Sequence, residues 1–429
     1  MSTRRGRRSR RDRHHEASHS GAQTPPPPIA DHPAVPGDST AFVTSATELE
    51  EVVRHIREAG AFAYDTEFIG EETYVPHLCL VQLATRERLF LIDPIEIDDL
   101  EPLWAMIADP ELETLVHAGD QDLEPVQRCI GRCPANIIDT QIAAGFVGQS
   151  YPLSLARTVD VMTGYQVTKG MTFTKWDDRP LSDMQKRYAA DDVRYLPLVW
   201  ERMKALLESN GHLDKCLEEC QRGCRPGAFD INLDNVCRKF HRRNPLRRNQ
   251  WYRLCSLVLL RDRLARAANV PPRTLIPDGS LSDLARRRID SVDAMASIKG
   301  LPRPTIQRYG QDLLSSLEDG HPEESLPELP PKLREESATD RIRIDSIWTA
   351  LSCWCLAQQI APSLVSTRSE LAEWILSGAS EQGSRSLWTP GWRLDFAGGF
   401  LDPFLNGDVE LSMEWKEDRL RPVPHGHGG

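Results

Sequence analysis

The segment FAYDTEFIG, residues 62–70, places two acidic side chains, Asp65 and Glu67, directly after an apolar run. The run has the length and composition of a buried β-strand. Because residues two apart in a strand share one face, the two carboxylates must lie close together and repel each other. A divalent cation would offset both this repulsion and the cost of burying the charges, so the segment predicts part of a cation site.

The composition is that of an ordinary globular protein. The chain has 429 residues, enough for two or three domains with separate cores. Of these, 40% are hydrophobic and 27% charged, and no segment approaches the roughly 20 apolar residues of a membrane span. Ten cysteines are scattered among helix-like and strand-like segments, with no secretory signal before them. We therefore expect a soluble cytoplasmic protein with free thiols and no membrane partner.

Three of the cysteines, Cys216, Cys220 and Cys224, recur at four-residue steps. Such steps fit a metal cluster, but they also place small apolar groups on one packed face of a helix. No fourth ligand lies nearby in the sequence, so we favour the packed face.

Charge is unevenly distributed along the chain. Residues 41–221 carry 16 basic and 32 acidic side chains, whereas residues 222–310 carry 19 basic and 7 acidic side chains. This contrast is typical of an acidic module that holds cations joined to a basic module that attracts a polyanion. Two solvated surfaces of opposite charge would give the same counts.

Periodicity and composition divide the chain into six segments. After residue 40, apolar alternation and short polar turns predict strands interleaved with helices, and Ser45 with Glu48 predicts the capped start of the first helix. The later segments show helical periodicity broken by turns rich in Pro, Gly and Asp. The predicted segments are a disordered Arg- and Pro-rich tail (1–40), an α/β domain (41–221), a helical domain (222–320), a Pro- and Glu-rich linker (321–339), a second helical domain (340–421) and a tail (422–429).

Two segments of the α/β domain supply further acidic side chains. In LVHAGDQDLEPV, an apolar strand ends shortly before Asp122, at the opening of a helix. In the helical segment MQKRYAADDVRYL, Tyr188 and Asp192 are four residues apart and share one face. Hydrolysis of a phosphodiester commonly uses two cations about 3.5–4 Å apart, which need several carboxylates. The pattern therefore predicts one site that joins these two segments to FAYDTEFIG.

The three acidic segments together resemble a known family. DTEF, HAGDQDLE and YAADDVRYL are similar to the exonuclease motifs of the DEDDy group, in its ribonuclease D branch. The resemblance continues through YVPHLCLVQLA, LIDP, IIDTQIAA and WDDRPLSDMQKRYAADDV, and covers nearly all of residues 44–205. In the basic region, LVLLRDRLARAANVPPRTLIPDGSLSDLARRR and IKGLPRPTIQRYGQDLL resemble the HRDC domain that follows the nuclease in this family. The last helices resemble a diverged second copy of it.

The resemblance implies a fold and a set of catalytic residues. The fold is an RNase H-like α/β exonuclease domain, with a mixed sheet flanked by helices, followed by all-α HRDC-type domains. Asp65, Glu67, Asp122 and Asp192 would bind two Mg²⁺ or Mn²⁺ ions, and oxygen ligands suit both metals. Tyr188 would orient the attacking water rather than take its proton, because a phenol with a pKa near 10 is a poor base at neutral pH.

Four other side chains compete for roles in this site. Asp120 falls where the family varies, and Asp191 points about 100° away from Asp192 on a helix. Asp139 in IIDT has the context of a helix cap. His117 fits a hydrogen bond to the backbone near the site and equally fits a structural role.

Candidate RNA contacts come from both the nuclease and the helical domain. Phe68 could pack against the terminal base, although a core position suits it equally. Lys169, Trp176 and Arg179 lie where the family carries a Lys and a Trp-x-x-Arg-Pro-Leu element near the nucleic acid. Candidates for phosphate contacts in the basic region are Arg247, Arg248, Arg286 and Arg287.

The resemblance implies a 3'-5' exoribonuclease that releases nucleoside 5'-monophosphates from RNA 3' ends, with tRNA and other stable RNA precursors as substrates. We expect it to act as a monomer. Two alternatives stay open: an exodeoxyribonuclease of the same group, since no reader of the 2'-hydroxyl is identifiable, and a catalytically silent RNA-binding scaffold. The full set of four acids with Tyr188 favours an active enzyme.

Overall fold

The N-terminal half of the chain forms a mixed sheet. A computed structural model describes residues 31–37, 40–70, 72–167, 175–318, 326–378, 387–388, 390–416 and 419–426. In these ranges the sheet of this half has the strand order β1-β4-β3-β2-β5-β6. The β2–β3 and β3–β4 pairs are antiparallel and the others are parallel, which confirms the predicted mixed sheet. The strands are β1 (Ala41–Val43), β2 (Ala61–Ile69), β3 (His77–Ala84), β4 (Leu89–Ile92), β5 (Glu113–Val116) and β6 (Ile137–Asp139).

Helices cover both faces of this sheet. The first begins at the predicted capping box, in which the Ser45 and Glu48 side chains each bond to the backbone of the other residue. A second capping box, formed by Ser182 and Gln185, starts the helix α6. The helices of this half are α1 (Ala46–Ala59), α2 (Glu101–Ile107), α3 (Glu124–Ile130), α4 (Thr140–Phe146), α5 (Leu155–Thr163), α6 (Asp183–Arg194), α7 (Leu196–Asn210) and α8 (Leu213–Cys220).

Successive side chains of β2 point into two different cores, one on each face of the sheet. Phe62 and Tyr64 belong to the apolar core that packs α1, α2 and α3 on one face. Ala63 belongs to the core on the other face, where α6 and α7 lie. Asp65 and Glu67 share the face of Ala63, so the period of two places both carboxylates on the side covered by α6.

The N-terminal segment is more ordered than predicted. Residues 1–40 were predicted to be disordered, but residues 31–37 have a defined position and the Asp31 carboxylate accepts hydrogen bonds from Arg187 and Arg194. Arg194 is 1% exposed. Because a buried guanidinium is stable only when it is paired, the ion pair between Arg194 and Asp31 holds the segment in place.

The basic region forms a helical unit with its own core around the fully buried Trp251. Its helices are α9 (Leu233–Arg243), α10 (Arg248–Ala268), α11 (Pro272–Leu275), α12 (Asp278–Arg286) and α13 (Arg303–Glu318). Part of the predicted linker packs on this core, because Trp251 Nε1 donates to the Pro327 carbonyl at 2.7 Å and Leu329 lies against the cluster. A loop of the α/β domain also contacts it: the Tyr74 hydroxyl donates to the Asp262 carboxylate at 2.7 Å.

The C-terminal region corrects two predictions. It contains α14 (Ala338–Ala357), α15 (Pro362–Val365), α16 (Arg368–Leu376) and α17 (Gly399–Leu405), but also an antiparallel hairpin of β7 (Val409–Lys416) and β8 (Arg419–Gly426). The region is therefore not all-α, and most of the predicted tail 422–429 belongs to β8. The signal in the sequence was the alternation of Val409, Leu411 and Met413 with polar residues. None of the helices in the described ranges combines the length and apolar composition needed to cross a bilayer.

Candidate active site

Three elements bring the predicted catalytic residues together. Strand β2 carries Asp65 and Glu67, which are in register with Gln82 and Leu80 of β3. Helix α6 packs across β2, β3 and β4 and carries Tyr188 and Asp192 one turn apart. Asp122 lies in the turn that opens α3, just after the neighbouring strand β5. We call Asp65, Glu67, Asp122 and Asp192 the carboxylate cluster.

The second face of β2 holds Asp122. The Tyr64 hydroxyl donates to the backbone carbonyl of Asp122 at 2.6 Å, and the Thr66 hydroxyl donates to its carboxylate. Sequence patterns missed both residues, although both lie within the same motif at the positions that alternate with Asp65 and Glu67. One strand therefore presents two acids on one face and secures a third from the other.

The carboxylate cluster is strained electrostatically. Burial raises the pKa of Asp65 well above its ordinary value, and the charges of Asp122, Asp192 and Glu67 raise it further. Burial, followed by the charges of Asp192 and Asp122, raises the pKa of Glu67 to about 8. Burial is also the main cause that raises the pKa of Asp192 to about 7. Each ionised member therefore destabilises the others, and a cation would relieve the repulsion.

The donor set fits divalent metal ions, although the side chains are not arranged as a closed cage. All four groups are carboxylates, the hard oxygen donors that Mg²⁺ and Mn²⁺ prefer. Within the described ranges, no three His, Cys, Asp or Glu side chains already converge in ligand geometry. Asp122 is bonded to Thr66 and Asp192 to Tyr188 instead. The four carboxylates are thus close enough to affect one another's charge, and hydroxyl groups hold two of them, Asp122 and Asp192.

Tyr188 lies beside the cluster as a hydrogen-bond donor. Its ring packs 6.1 Å from that of Trp176, and its hydroxyl bonds to Asp192. Burial, together with the charges of Asp192, Glu67 and Asp65, raises the pKa of the phenol. The hydroxyl therefore keeps its proton near neutral pH, which supports orientation of a water rather than proton abstraction.

The competing side chains have structural partners. Asp139 caps α4 by accepting from the Gln141 amide at 2.8 Å, as predicted. His117 bonds to the Thr140 hydroxyl and the Leu153 carbonyl, and burial lowers its pKa to about 4. Asp191 is buried and paired with Arg194. Asp120 is exposed.

The segment before α6 carries two of the predicted RNA contacts, Trp176 and Arg179, and both have partners within the protein. Arg179 forms a two-pronged ion pair with the buried Asp93, with Nε and Nη2 at 2.5 and 2.8 Å from its carboxylate oxygens. Trp176 is only 5% exposed and packs in the cluster beneath α6. Both residues therefore have structural partners within the protein, and the RNA contacts predicted for them stay predictions. Phe68 is half-buried next to Glu67, and Lys169 lies outside the described residues.

The four arginines of the basic region differ in their surroundings. Arg286 donates to the carbonyls of Asn244 and Pro245, so it fixes the turn before α10. Arg287 is half-exposed and pairs with Asp283 at 3.2 Å. Arg247 and Arg248 are exposed at the start of α10. Arg247, Arg248 and Arg287 thus stay accessible to phosphates, whereas Arg286 has a structural role.

Two of the three recurring cysteines pack in a core. Cys216 and Cys220 are buried in the core between the sheet and α8, and all ten cysteines of the chain are free thiols. The expected packed helix face is confirmed for these two residues.

Two regions of the chain match families of known proteins. A family model described as 3'-5' exonuclease matches residues 40–208, and one described as HRDC domain matches residues 253–317. The ribonuclease D of Gluconacetobacter diazotrophicus is 31% identical over 334 residues, which are 77% of this chain and 84% of that protein. The ribonuclease D of Escherichia coli is 33% identical over 292 residues, or 67% of this chain and 77% of that protein.

A solved structure agrees over a longer part of the chain. The crystal structure of Escherichia coli RNase D, described as an exoribonuclease involved in structured RNA processing, matches with a TM-score of 0.72 at 29% identity and covers 86% of this chain and 99% of that one. The chain belongs to the ribonuclease D family. It is accordingly a 3'-5' exoribonuclease, a hydrolase of phosphodiester bonds in RNA, and enzymes of the ribonuclease D family use divalent metal ions. Neither the exodeoxyribonuclease nor the silent scaffold is favoured by these relatives.

Proposed function

We propose that the carboxylate cluster holds two divalent cations, Mg²⁺ or Mn²⁺, and that the enzyme releases nucleoside 5'-monophosphates from RNA 3' ends. The observation that carries this proposal is the mutual effect of Asp65, Glu67, Asp122 and Asp192 on one another's pKa values. Four carboxylates close enough to repel one another form a favourable site for positive charge. Bound cations would supply an acidified water and charge stabilisation at the phosphate.

The chain's own residues place the reactants. Tyr188 donates its hydroxyl proton toward the region of Asp192, where it would fix the attacking water. Tyr64 and Thr66 hold Asp122 against β2 so that it meets the acids on that strand. Half-buried Phe68 would contact the terminal base.

The substrates that we propose are structured RNA precursors with free 3' ends, tRNA precursors among them. Support comes from the relative in Escherichia coli that is described as acting in structured RNA processing. The basic region adds 19 basic side chains against 7 acidic ones, which favours binding of a polyanion beyond the nuclease. We assign nuclease function to residues 41–221, RNA binding to an HRDC domain at 222–320, and a diverged second HRDC-like fold to the helices within 340–421, which are followed by the β7–β8 hairpin.

We infer that the enzyme acts as a monomer in the cytoplasm. All members of the carboxylate cluster come from one chain, so catalysis needs no second copy. Its ten free thiols, several of them fully buried, suit a reducing compartment.

Nuclease assays on paired substrates test the proposal. The purified chain is incubated with a 3'-tailed RNA and a matched single-stranded DNA in Mg²⁺, Mn²⁺ or EDTA, and the products are identified by chromatography. We expect 5'-monophosphates from RNA with either metal and none in EDTA. Asp192→Asn should abolish trimming, while Asp120→Asn, at an exposed neighbouring acid, should leave it unchanged. Full activity of Asp192→Asn, or activity in EDTA, would refute the metal assignment.

A further inference from the structure

Two polar side chains in the interior of the sheet, Gln82 and Thr114, have no side-chain hydrogen bond among the described residues, and of the two Gln82 lies on the face of Asp65. Gln82 is fully buried in β3, within the apolar segment LCLVQLA. Neither Nε2 nor Oε1 of its amide has a hydrogen-bond partner among the residues that the structure describes. An unpaired buried amide destabilises a fold, because both atoms have lost their water and gained nothing in return. This cost calls for a functional explanation.

The sheet register places Gln82 beside Asp65. The two residues are directly opposite in the antiparallel β2–β3 pair, so their side chains share one face with Cβ atoms about 4.5–5.5 Å apart. Its other neighbours on this face of the sheet are apolar and fully buried: Leu80 and Ala84 along β3, and Leu91 on β4. Asp65 is therefore the polar group that the amide can reach across the sheet.

Asp65 has the capacity to accept this hydrogen bond. Its carboxylate already accepts from the backbone N–H of Thr66, and a carboxylate offers about four lone-pair positions. Carboxylates that bind metals are commonly fixed by a second group, which sets their orientation. A neutral amide can do this without cancelling the negative charge that attracts a cation, whereas an Arg or Lys at the same position would compete with the metal.

We propose that Gln82 is a positioning residue for Asp65, and that its amide N–H donates to the Asp65 carboxylate when this carboxylate binds a divalent cation. The amide is then unpaired in the metal-free protein and satisfied in the loaded one. This inference rests on the proposed metal-binding role of the carboxylate cluster and adds a residue that contacts neither metal nor RNA.

The variant Gln82→Met tests the proposal, since methionine has a similar size and no amide. We expect its affinity for Mn²⁺, measured by titration calorimetry, to fall about tenfold. Its kcat on 3'-tailed RNA should fall while its KM for RNA stays unchanged. In EDTA, by contrast, it should melt at least as high as the wild type, because an unpaired amide has been removed. Wild-type affinity for Mn²⁺ together with wild-type kcat overturns the proposal.

A matched control separates positioning from simple repacking. Thr114 is also fully buried with an unpaired hydroxyl, but it is in register with Phe62 and so lies on the opposite face of the sheet from Asp65. Thr114→Val should likewise keep or raise the melting temperature in EDTA while leaving Mn²⁺ affinity and kcat unchanged. Equal losses of Mn²⁺ affinity in both variants mean a general effect of sheet repacking, which also overturns the proposal.

The wild-type protein gives an independent test that needs no folded variant. With nitrogen-labelled glutamine, addition of Mg²⁺ should shift the side-chain amide resonance of Gln82 downfield. The amide of Gln141, which already donates to the Leu153 carbonyl at 3.0 Å, should not shift. A Gln82 resonance that fails to move while Mg²⁺ binds overturns the proposal, whether or not Gln82→Met folds. Failure of the wild type to bind Mg²⁺ or Mn²⁺ would instead refute the metal site itself.

Discussion

Alternate side chains of β2 serve two different purposes in the active site. Asp65 and Glu67 face the region beneath α6, while Tyr64 and Thr66 bond to the backbone and carboxylate of Asp122. The conformation of one strand therefore controls three of the four carboxylates.

Rising pH is expected to destabilise the metal-free enzyme. The pKa values of Asp192 and Glu67 are raised to about 7 and about 8, against 3.8 and 4.5 for ordinary carboxyl groups. Between about pH 4 and pH 8 the unfolded chain releases protons that the folded chain keeps, so the free energy of unfolding falls as pH rises. Thermal melts in EDTA across this range measure the effect.

The variant Asp192→Asn isolates the effect from other titrating groups. His117 has the opposite influence, because its pKa is lowered to about 4 and its neutral form gains stability as pH rises to its ordinary pKa of 6.5. This contribution cancels when the two proteins are compared. Asp192→Asn should melt at a progressively higher temperature than the wild type as pH rises. A difference in melting temperature that does not grow with pH would contradict the prediction.

Tyr188→Phe should slow turnover without weakening metal binding. The hydroxyl is lost while the ring still packs near Trp176, so a water held by it loses its orientation, whereas Asp192 loses one hydrogen bond but keeps its charge for the metal. A misplaced nucleophile costs about 100-fold in kcat. Single-turnover kinetics and Mn²⁺ titration measure the two quantities separately. A loss of Mn²⁺ affinity would mean that the phenol takes part in metal binding.

At the scale of elements, α6 depends on the segment that precedes it. Arg179 ties this segment to Asp93 at the end of β4 and also donates to the Cys79 carbonyl of β3 at 2.8 Å. The Asp93 side chain is 1% exposed. The ion pair therefore fixes the entry to α6, and with it the position of Tyr188 and Asp192.

Arg179→Ala should destabilise the fold rather than weaken RNA binding alone. It leaves the buried Asp93 without a cation, which costs about 3–5 kcal/mol. Urea unfolding monitored by circular dichroism measures the loss. The double variant Asp93→Asn with Arg179→Met removes both charges and should recover part of the stability. If Arg179→Ala keeps the wild-type stability but binds RNA more weakly, the result supports the RNA contact predicted from the sequence instead.

At the scale of the whole molecule, the C-terminal region shares a core with the nuclease. The ring of Trp392 packs 4.9 Å from that of Phe146 in α4, and Arg393 pairs with Glu219 near the end of α8. The Ala361 amide donates to the Gly145 carbonyl at 2.7 Å. The ring contact is apolar and buried, and the ion pair and the hydrogen bond join the same two regions, so the two regions should unfold together.

Trp392→Ala should destabilise the nuclease and the C-terminal region as one unit. Truncating a buried tryptophan costs about 3–5 kcal/mol. Calorimetry should show the largest transition move to lower temperature without splitting. Glu373→Gln is the control, because its pairs with Arg238 and Arg242 lie near the surface and such pairs are worth about 0–1 kcal/mol. A nuclease transition unaffected by Trp392→Ala would show that the regions fold separately.

Exposed arginines of the basic region should set the salt dependence of RNA binding. Replacing Arg247, Arg248 and Arg287 together with glutamine removes up to three phosphate contacts, which lowers the slope of log affinity against log salt by about 2 for single strands. Filter binding across a salt series measures the slope. Arg57→Gln, on α1 and paired with Asp109, is the control. An unchanged slope in the triple variant would place the RNA elsewhere.

Local sequence determined the parts of the enzyme that depend on short-range geometry. A strand period of two fixed Asp65 beside Glu67, a helical step of four fixed Tyr188 beside Asp192, and capping chemistry fixed the start of α1. The resemblance of the motifs then supplied the fold and the reaction.

The tertiary structure alone decided which side chains are buried and which partners they pair with. Arg179 meets Asp93 across 86 residues of sequence, Asp31 meets Arg194 across 163, and Gln82 is buried beside Asp65 without a partner. A local pattern contains no information about partners so distant, because desolvation and long-range pairing arise only when the elements pack. For that reason the sequence did not indicate the ion pairs that the fold forms at Arg179 and at Asp31.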